Sequence, residues 1–225
     1  MKGKKAFFSE LRNYILNEVR KQGISNISEL LESVRHRYLE EIKKYGIKDP
    51  EQSWKPFKGK LLEELVINAI EKELKEEGLK IIKGSLLTRE NLTECFSWIK
   101  RSLVVDYGEF GMHLPDVDMV IYDPSTCKAL AIISSKSTLR ERIAQTGYWY
   151  LKLKTSEATK KIKVFFITLD EDGDLRVRKP SKKGRAIVEV DTDGAFVITN
   201  EPIEESGKVM NFEKFKHVIN KLKEG

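Results

Sequence analysis

The sequence holds few of the residues that most often announce a chemistry. It has 2 cysteines and 3 histidines in 225 residues. Cys95 and Cys127 are too few for a disulfide framework or a thiolate zinc site, so a reduced, cytoplasmic setting is expected. His36, His113 and His217 are scattered, and no histidine-based metal site is expected. No apolar stretch approaches the ~20 residues that a membrane span requires, so no membrane partner is expected. The basic start, Met1-Lys2-Gly3-Lys4-Lys5, leads into an amphipathic pattern and not into a signal-peptide apolar region. Internal repeats and low-complexity linkers are also lacking.

What is present is a core and a surplus of positive charge. Hydrophobic residues make up 40% of the chain and charged residues 34%, with a net charge of +6. The length suits one medium domain or a domain with a small appendage. A positive excess favours polyanionic partners, although a solvated Lys/Glu surface explains it equally well. Abundant Lys and Glu with little Cys also fits a heat-adapted protein.

Two nearby segments carry the chemistry. Leu114-Pro115-Asp116-Val117-Asp118-Met119-Val120-Ile121-Tyr122 and Ala131-Ile132-Ile133-Ser134-Ser135-Lys136 each read as a buried strand that also carries charge. An ionised group inside a strand costs several kcal/mol, on the order of 3–5, unless it is paired or holds a metal. The turn at Asp123-Pro124-Ser125-Thr126 predicts a hairpin between them. Side chains two apart share a strand face, so Asp116 and Asp118 point one way, as do Ser134 and Lys136. Asp118 and Lys136 are then expected to meet at one end of the sheet. A carboxylate that holds a divalent ion, beside a lysine that orients a water, is equipment for metal-assisted phosphodiester hydrolysis. The plainer alternative is a salt bridge at a strand edge.

Along the rest of the chain, helical spacing predicts helices over about 5–22 and from Asn26 or Ser28 to about Ile42. The second carries Arg35, His36, Arg37, Lys43 and Lys44, a phosphate track or simply a solvated face. The stretch Ser53–Lys60 is expected to break the pattern before a long helix from Leu61 to Leu74. Glu63 and Glu64 start that helix, where the macrodipole favours acids; a role at a metal is the sharper reading. A strand is expected at 79–82, a helix at 89–100, a helix over Leu139–Lys154 and a strand over Lys163–Leu169. Strands near 185–190 and 195–199 and a final helix over 212–223 complete the reading. Trp54, Trp98 and Trp149 are expected in core or interface packing. The fold class is α/β, a mixed sheet flanked by helices, with an N-terminal helical region over 1–50 and the main domain over 51–225.

The order helix with Glu, strand with Asp, strand ending in Lys, helix, strand resembles the PD-(D/E)XK nuclease core. Within that superfamily the chain is similar to type II restriction endonucleases of the BsaWI-like group, over roughly residues 53–150. Ser53-Trp54-Lys55 followed by Gly59-Lys60-Leu61-Leu62-Glu63-Glu64 resembles that group's Glu-bearing helix. Val117-Asp118-Met119-Val120-Ile121 resembles its metal-Asp strand. Ser134-Ser135-Lys136-Ser137-Thr138-Leu139-Arg140-Glu141-Arg142 resembles its Ser-Lys-Thr-Ser-Ile-Arg-Asp-Arg run.

The resemblance implies double-stranded DNA as substrate, Mg²⁺ as cofactor and a homodimer whose twofold matches a palindromic site. It assigns Asp118 to the metal and Lys136 to the attacking water. The superfamily's second carboxylate falls at position 134, where this chain has Ser134, a poor Mg²⁺ ligand. Glu63 or Glu64, Glu141, Asp116 and the carbonyl of Ser135 are the candidates to replace it, with Glu63 ranked above Glu141. Arg140, Arg142 and Gln145 lead the next helix and are candidates to contact phosphates or base edges; surface ion pairs are the alternative. A structure-specific nuclease, such as a Holliday-junction resolvase or a repair nuclease, stays open as an alternative. So do a DNA-binding protein without catalysis and an unrelated basic α/β domain.

Overall fold

The computed structural model describes residues 2–224. Met1 and Gly225, the outermost residues of the two expected regions, lie outside it. Three helices open the chain: α1 (Lys2–Gln22), α2 (Ile27–Lys43) and α3 (Pro50–Glu76). There follow β1 (Lys80–Lys83), α4 (Glu94–Leu103) and a small hairpin of β2 (Val105–Asp106) and β3 (Met112–His113). Next come β4 (Met119–Asp123), β5 (Lys128–Lys136), α5 (Arg140–Lys154) and β6 (Lys163–Thr168). The chain closes with α6 (Lys183–Asp191), β7 (Gly194–Val197), β8 (Val209–Asn211) and α7 (Phe215–Ile219).

Among the described residues the main sheet has six strands in the order β1-β4-β5-β6-β7-β8. The β1–β4 and β4–β5 pairs are antiparallel, and β5–β6, β6–β7 and β7–β8 are parallel. This is the mixed α/β architecture expected. Alternation along the strands splits the core in two. Met119, Ile121, Ala131, Ile133, Phe165 and Ile167 pack with apolar residues of α1, α2, α3 and α7. Val120, Ile132 and Val164 face α4 and the end of α5, and Phe166, Ala195 and Val197 face α5 and α6. The catalytic-looking hairpin is therefore clamped on both faces.

Several local expectations need correction. The helix that carries Glu63 does not begin after a break at 53–60. It starts at Pro50, where Asp49 caps it by accepting the Gln52 N–H at 2.9 Å, and runs through Pro56. A proline in the second turn removes one N–H donor, and packing outweighs that loss. Trp54 is buried, its ring 4.9 Å from that of Tyr38 and 5.6 Å from that of Phe57. Residues 185–190 form helix α6, not a strand. Gly184, Arg185 and Val188 are buried while Val190 is exposed, which is helical spacing; short apolar runs do not separate the two states. Helix α4 starts at Glu94, capped by Thr93, and the last helix is shorter than expected, preceded by a 3-10 turn at Phe212–Lys214. Trp98 is 53% exposed, with the guanidinium of Arg101 over its ring.

The two cysteines form a disulfide, Cys95–Cys127, with Cα atoms 5.2 Å apart. It joins α4 to the β4–β5 turn. The cysteine count rules out a framework of bridges but not this single one, and the reduced thiols expected from their scarcity are not found. On α2, Arg35 pairs with Glu32 and Glu51, Arg37 with Glu10, His36 with Glu40 and Lys44 with Glu41. Most of that basic run is a solvated, paired face.

Candidate active site

Asp118 immediately precedes β4 and Lys136 ends β5. The antiparallel register, Met119 opposite Ile133, brings both to the same end of the hairpin. Lys136 Nζ donates to Asp118 Oδ1 at 2.7 Å, and the Ser135 backbone N–H donates to Asp118 Oδ2 at 2.7 Å. Both oxygens of the carboxylate are thereby oriented by the strand that also supplies the lysine. The backbone is fixed as well: Asp118 N–H donates to Ile133 O at 3.2 Å, and Gly84 N–H donates to Asp118 O at 2.8 Å. Gly84 follows β1, and a Cβ there would lie 2.0 Å from Val117 O. Only a glycine lets the two chain segments approach this closely.

A small cleft, with room for about one water, lies at this corner, lined by Asp116, Asp118, Ser134, Lys136, Arg142, Gln145 and Thr146. Strand alternation places Ser134 and Lys136 on the cleft side, as expected, and turns Ser135 to the other face. There its hydroxyl is buried without a partner. Asp116 is not in a strand; it lies in the extended lead into β4 and accepts from Gln145 Nε2 at 3.1 Å. Arg142 and Gln145 thus share the cleft with the acidic pair. Arg140 and Glu141 are exposed in the first turn of α5 and do not line it.

Glu63 approaches from α3. Its carboxyl is half-buried and is pushed above the usual carboxylate range, first by burial and then by the neighbouring Asp118, with Lys83 and Lys136 opposing. Glu63 Oε2 lies 3.7 Å from Lys83 Nζ. Glu64, beside it, is held by Arg12 of α1 and lies 3.5 Å from Lys83. Of the acids weighed as a replacement for a carboxylate at 134, Asp116 lines the cleft with Asp118 and Lys136, Glu63 feels the charge of both, Glu64 is paired with Arg12 and Lys83, and Glu141 is exposed outside the cleft. Sequence reading missed Lys83, Gly84, Arg12 and Thr146. A Lys-Gly pair at a strand end was the one local signal, and it points as readily to an ordinary turn.

The side-chain donors at this corner are all oxygens: the Asp118 and Asp116 carboxylates and Glu63. Among the described residues no three His, Cys, Asp or Glu side chains converge as a metal cage. That donor set fits a small hard cation that keeps several waters and takes only one or two protein carboxylates beside substrate phosphate. Among the described residues no helix is long and apolar enough to cross a membrane.

Comparison with known proteins places the chain in a family. The family "BsaWI restriction endonuclease type 2" matches residues 95–218, more than half of the chain. That match begins after the Glu63 helix and extends well beyond residue 150, into the last third where the sequence motifs gave no likeness. The protein described as "Putative type II restriction enzyme MjaVIP" of Methanocaldococcus jannaschii is 37% identical over 165 residues, 71% of this chain and 72% of its own length. "Probable type II restriction enzyme HpyAORF263P" of Helicobacter pylori is 32% identical over 124 residues, 55% of this chain and 64% of its own. Two solved structures share the fold. The restriction endonuclease AgeI–DNA complex has a TM-score of 0.57 at 16% identity, covering 96% of this chain and 91% of that one. The PspGI–substrate DNA complex has a TM-score of 0.51 at 15% identity, covering 96% and 92%. The chain belongs to the BsaWI restriction endonuclease type 2 family and is a site-specific endonuclease.

Proposed function

We propose that this endonuclease hydrolyses double-stranded DNA with Mg²⁺ at the corner formed by Asp118 and Lys136. The observation that carries the reading is the 2.7 Å contact between the two side chains at the mouth of a cleft that also holds Arg142 and Gln145. Asp118 would hold the cation, with Asp116, Glu63 and the Ser135 carbonyl as further oxygen donors. When bound, Mg²⁺ supplies positive charge against the scissile phosphate and acidifies water. Lys136 orients the attacking water through its ammonium and stabilises the charge that builds on the phosphate. Ser134, next to Lys136 on the same face, is a hydrogen-bond partner for that water, not a metal ligand. Arg142 and Gln145 contact the DNA from the cleft, and Arg140 contacts it from the exposed first turn of α5. Gln145 must leave Asp116 to do so.

A homodimer suits a palindromic site, one subunit cutting each strand. Such a substrate puts the work of the enzyme in the cytoplasm. Residues 1–50 are read as a helical appendage for dimerisation or DNA clamping, attached to the nuclease domain at 51–225; the apolar residues that α1 and α2 share with the α3 core support a fixed attachment. The test is cleavage of plasmid and phage DNA with Mg²⁺ or with EDTA. Discrete fragments that need Mg²⁺ are expected. Asp118→Ala and Lys136→Ala should each abolish cutting while the purified variants keep the wild-type circular dichroism spectrum. Wild-type-like cleavage by either one refutes the assignment.

A further inference from the structure

Lys83 has no part in the mechanism above, yet it stands at the active site. It ends the edge strand β1, next to Gly84, whose N–H holds the Asp118 backbone. Its ammonium lies 3.7 Å from Glu63 and 3.5 Å from Glu64. The two acids are not equivalent. Glu64 has a second cation, Arg12, reaching from α1, whereas among the described residues Glu63 pairs with Lys83 alone. The Lys83–Glu63–Glu64 cluster thus stands beside the Asp118–Lys136 pair, close enough for Asp118 and Lys136 to act on the Glu63 carboxyl. A divalent ion that enters without DNA must do so against two nearby ammonium groups.

We propose that Lys83 is a positioning residue that holds Glu63 and competes with the divalent cation for it. Metal affinity then stays low in the free enzyme and rises once DNA phosphates bring compensating charge. The inference rests on the active-site reading given above. Loss of one ammonium within several ångströms of a divalent ion is worth about tenfold or more in metal affinity, even at high effective dielectric. The same loss weakens the coupling between metal and DNA, because the free enzyme no longer lacks affinity for DNA to restore.

The experiment is a Mn²⁺ titration of the full-length, DNA-free protein, read as free Mn²⁺ by electron paramagnetic resonance. Lys83→Met and Lys83→Gln should bind Mn²⁺ about tenfold more tightly than wild type. Lys83→Arg should restore the weak binding, and adding Glu63→Gln to Lys83→Met should cancel the gain. Unchanged or weaker binding by both folded Lys83 variants overturns the proposal. Asp118→Asn separates the two levels. If it binds Mn²⁺ like wild type, the active-site reading itself fails. If it loses Mn²⁺ while the Lys83 variants match wild type, only the role of Lys83 fails.

Discussion

Gly84→Ala tests how Asp118, the proposed active-site aspartate, is held. The new methyl carbon would sit 2.0 Å from Val117 O and 3.0 Å from Val117 C. Side-chain carbons do not approach other atoms closer than about 3 Å, so the two backbones must part by about 1 Å. The atom in the way is backbone and cannot swing aside. Val117 precedes Asp118, and the Gly84 N–H bond to Asp118 O, 2.8 Å long, spans the same contact. Overpacking of this kind costs about 1–3 kcal/mol. For a chain of this size that lowers the melting temperature by roughly 2–10 °C. Displacing a reacting group by about 1 Å costs on the order of a hundredfold in rate. Single-turnover cleavage of a plasmid, well below the melting temperature, should therefore fall about a hundredfold while the protein stays folded. Gly59→Ala is the matched comparison. Gly59 lies inside α3, and a Cβ there meets nothing within 4 Å. Relief of helical glycine should raise stability by about 0.5–1 kcal/mol. Gly84→Ala cutting at the wild-type rate would refute the view that this close approach sets the aspartate.

Two further expectations concern stability. The Cys95–Cys127 bridge closes a separation of 32 residues, so chain-entropy reasoning assigns it about 4 kcal/mol. Thermal melts with and without reductant should differ in wild type and coincide in a Cys95→Ser/Cys127→Ser variant; no difference in wild type would remove the bridge from the account. Asp170 is buried, which pushes its carboxyl from 3.8 up to about 6, while the backbone N–H groups of Leu175 and Asp174 oppose the shift. The folded chain then holds this proton more tightly than the unfolded chain, so the group's contribution is full below pH ~4 and lost as pH rises through about 6. Between pH 4 and 7 wild type should lose about 3 kcal/mol relative to Asp170→Asn, as read by urea unfolding; parallel pH profiles would contradict the assignment.

The parts of this site that sequence made legible are those built from local order. Period-two alternation and the Asp-Pro-Ser-Thr turn placed Asp118 opposite the Lys136 strand, and the hydrogen bond between them follows from that register. Helices α1, α2 and α5 were readable for the same reason, from apolar spacing within one element. What was not legible depends on contacts between distant segments. Arg12 and Glu64 are 52 residues apart, and nothing in either helix signals the other. The run at 185–190 carries Ile187, Val188 and Val190, which fit a strand; α6 forms because Arg185 is wholly buried, with its guanidinium donating to Glu189 and to the carbonyls of Leu175 and Glu204. A buried arginine that must reach three acceptors outweighs the β-branched preference of its neighbours.

The serine at position 134 is where the local and the distant readings meet. A carboxylate there would complete a compact acidic set on two adjacent strands, and its loss looks damaging when the strands are read alone. In the fold, α3 brings Glu63 to the same end of the sheet, where it raises the negative charge felt by Asp118 and is itself balanced by Lys83. A carboxylate at 134 would add like charge beside Asp116 and Asp118, where Lys136 and Arg142 are the cations that line the cleft. An uncharged hydroxyl at 134 keeps Lys136 paired to Asp118 alone, so the ammonium keeps one orientation toward the cleft. The departure from the superfamily pattern is therefore consistent with an acid supplied from another element, and it moves the charge balance of the site onto residues that no two-strand motif contains.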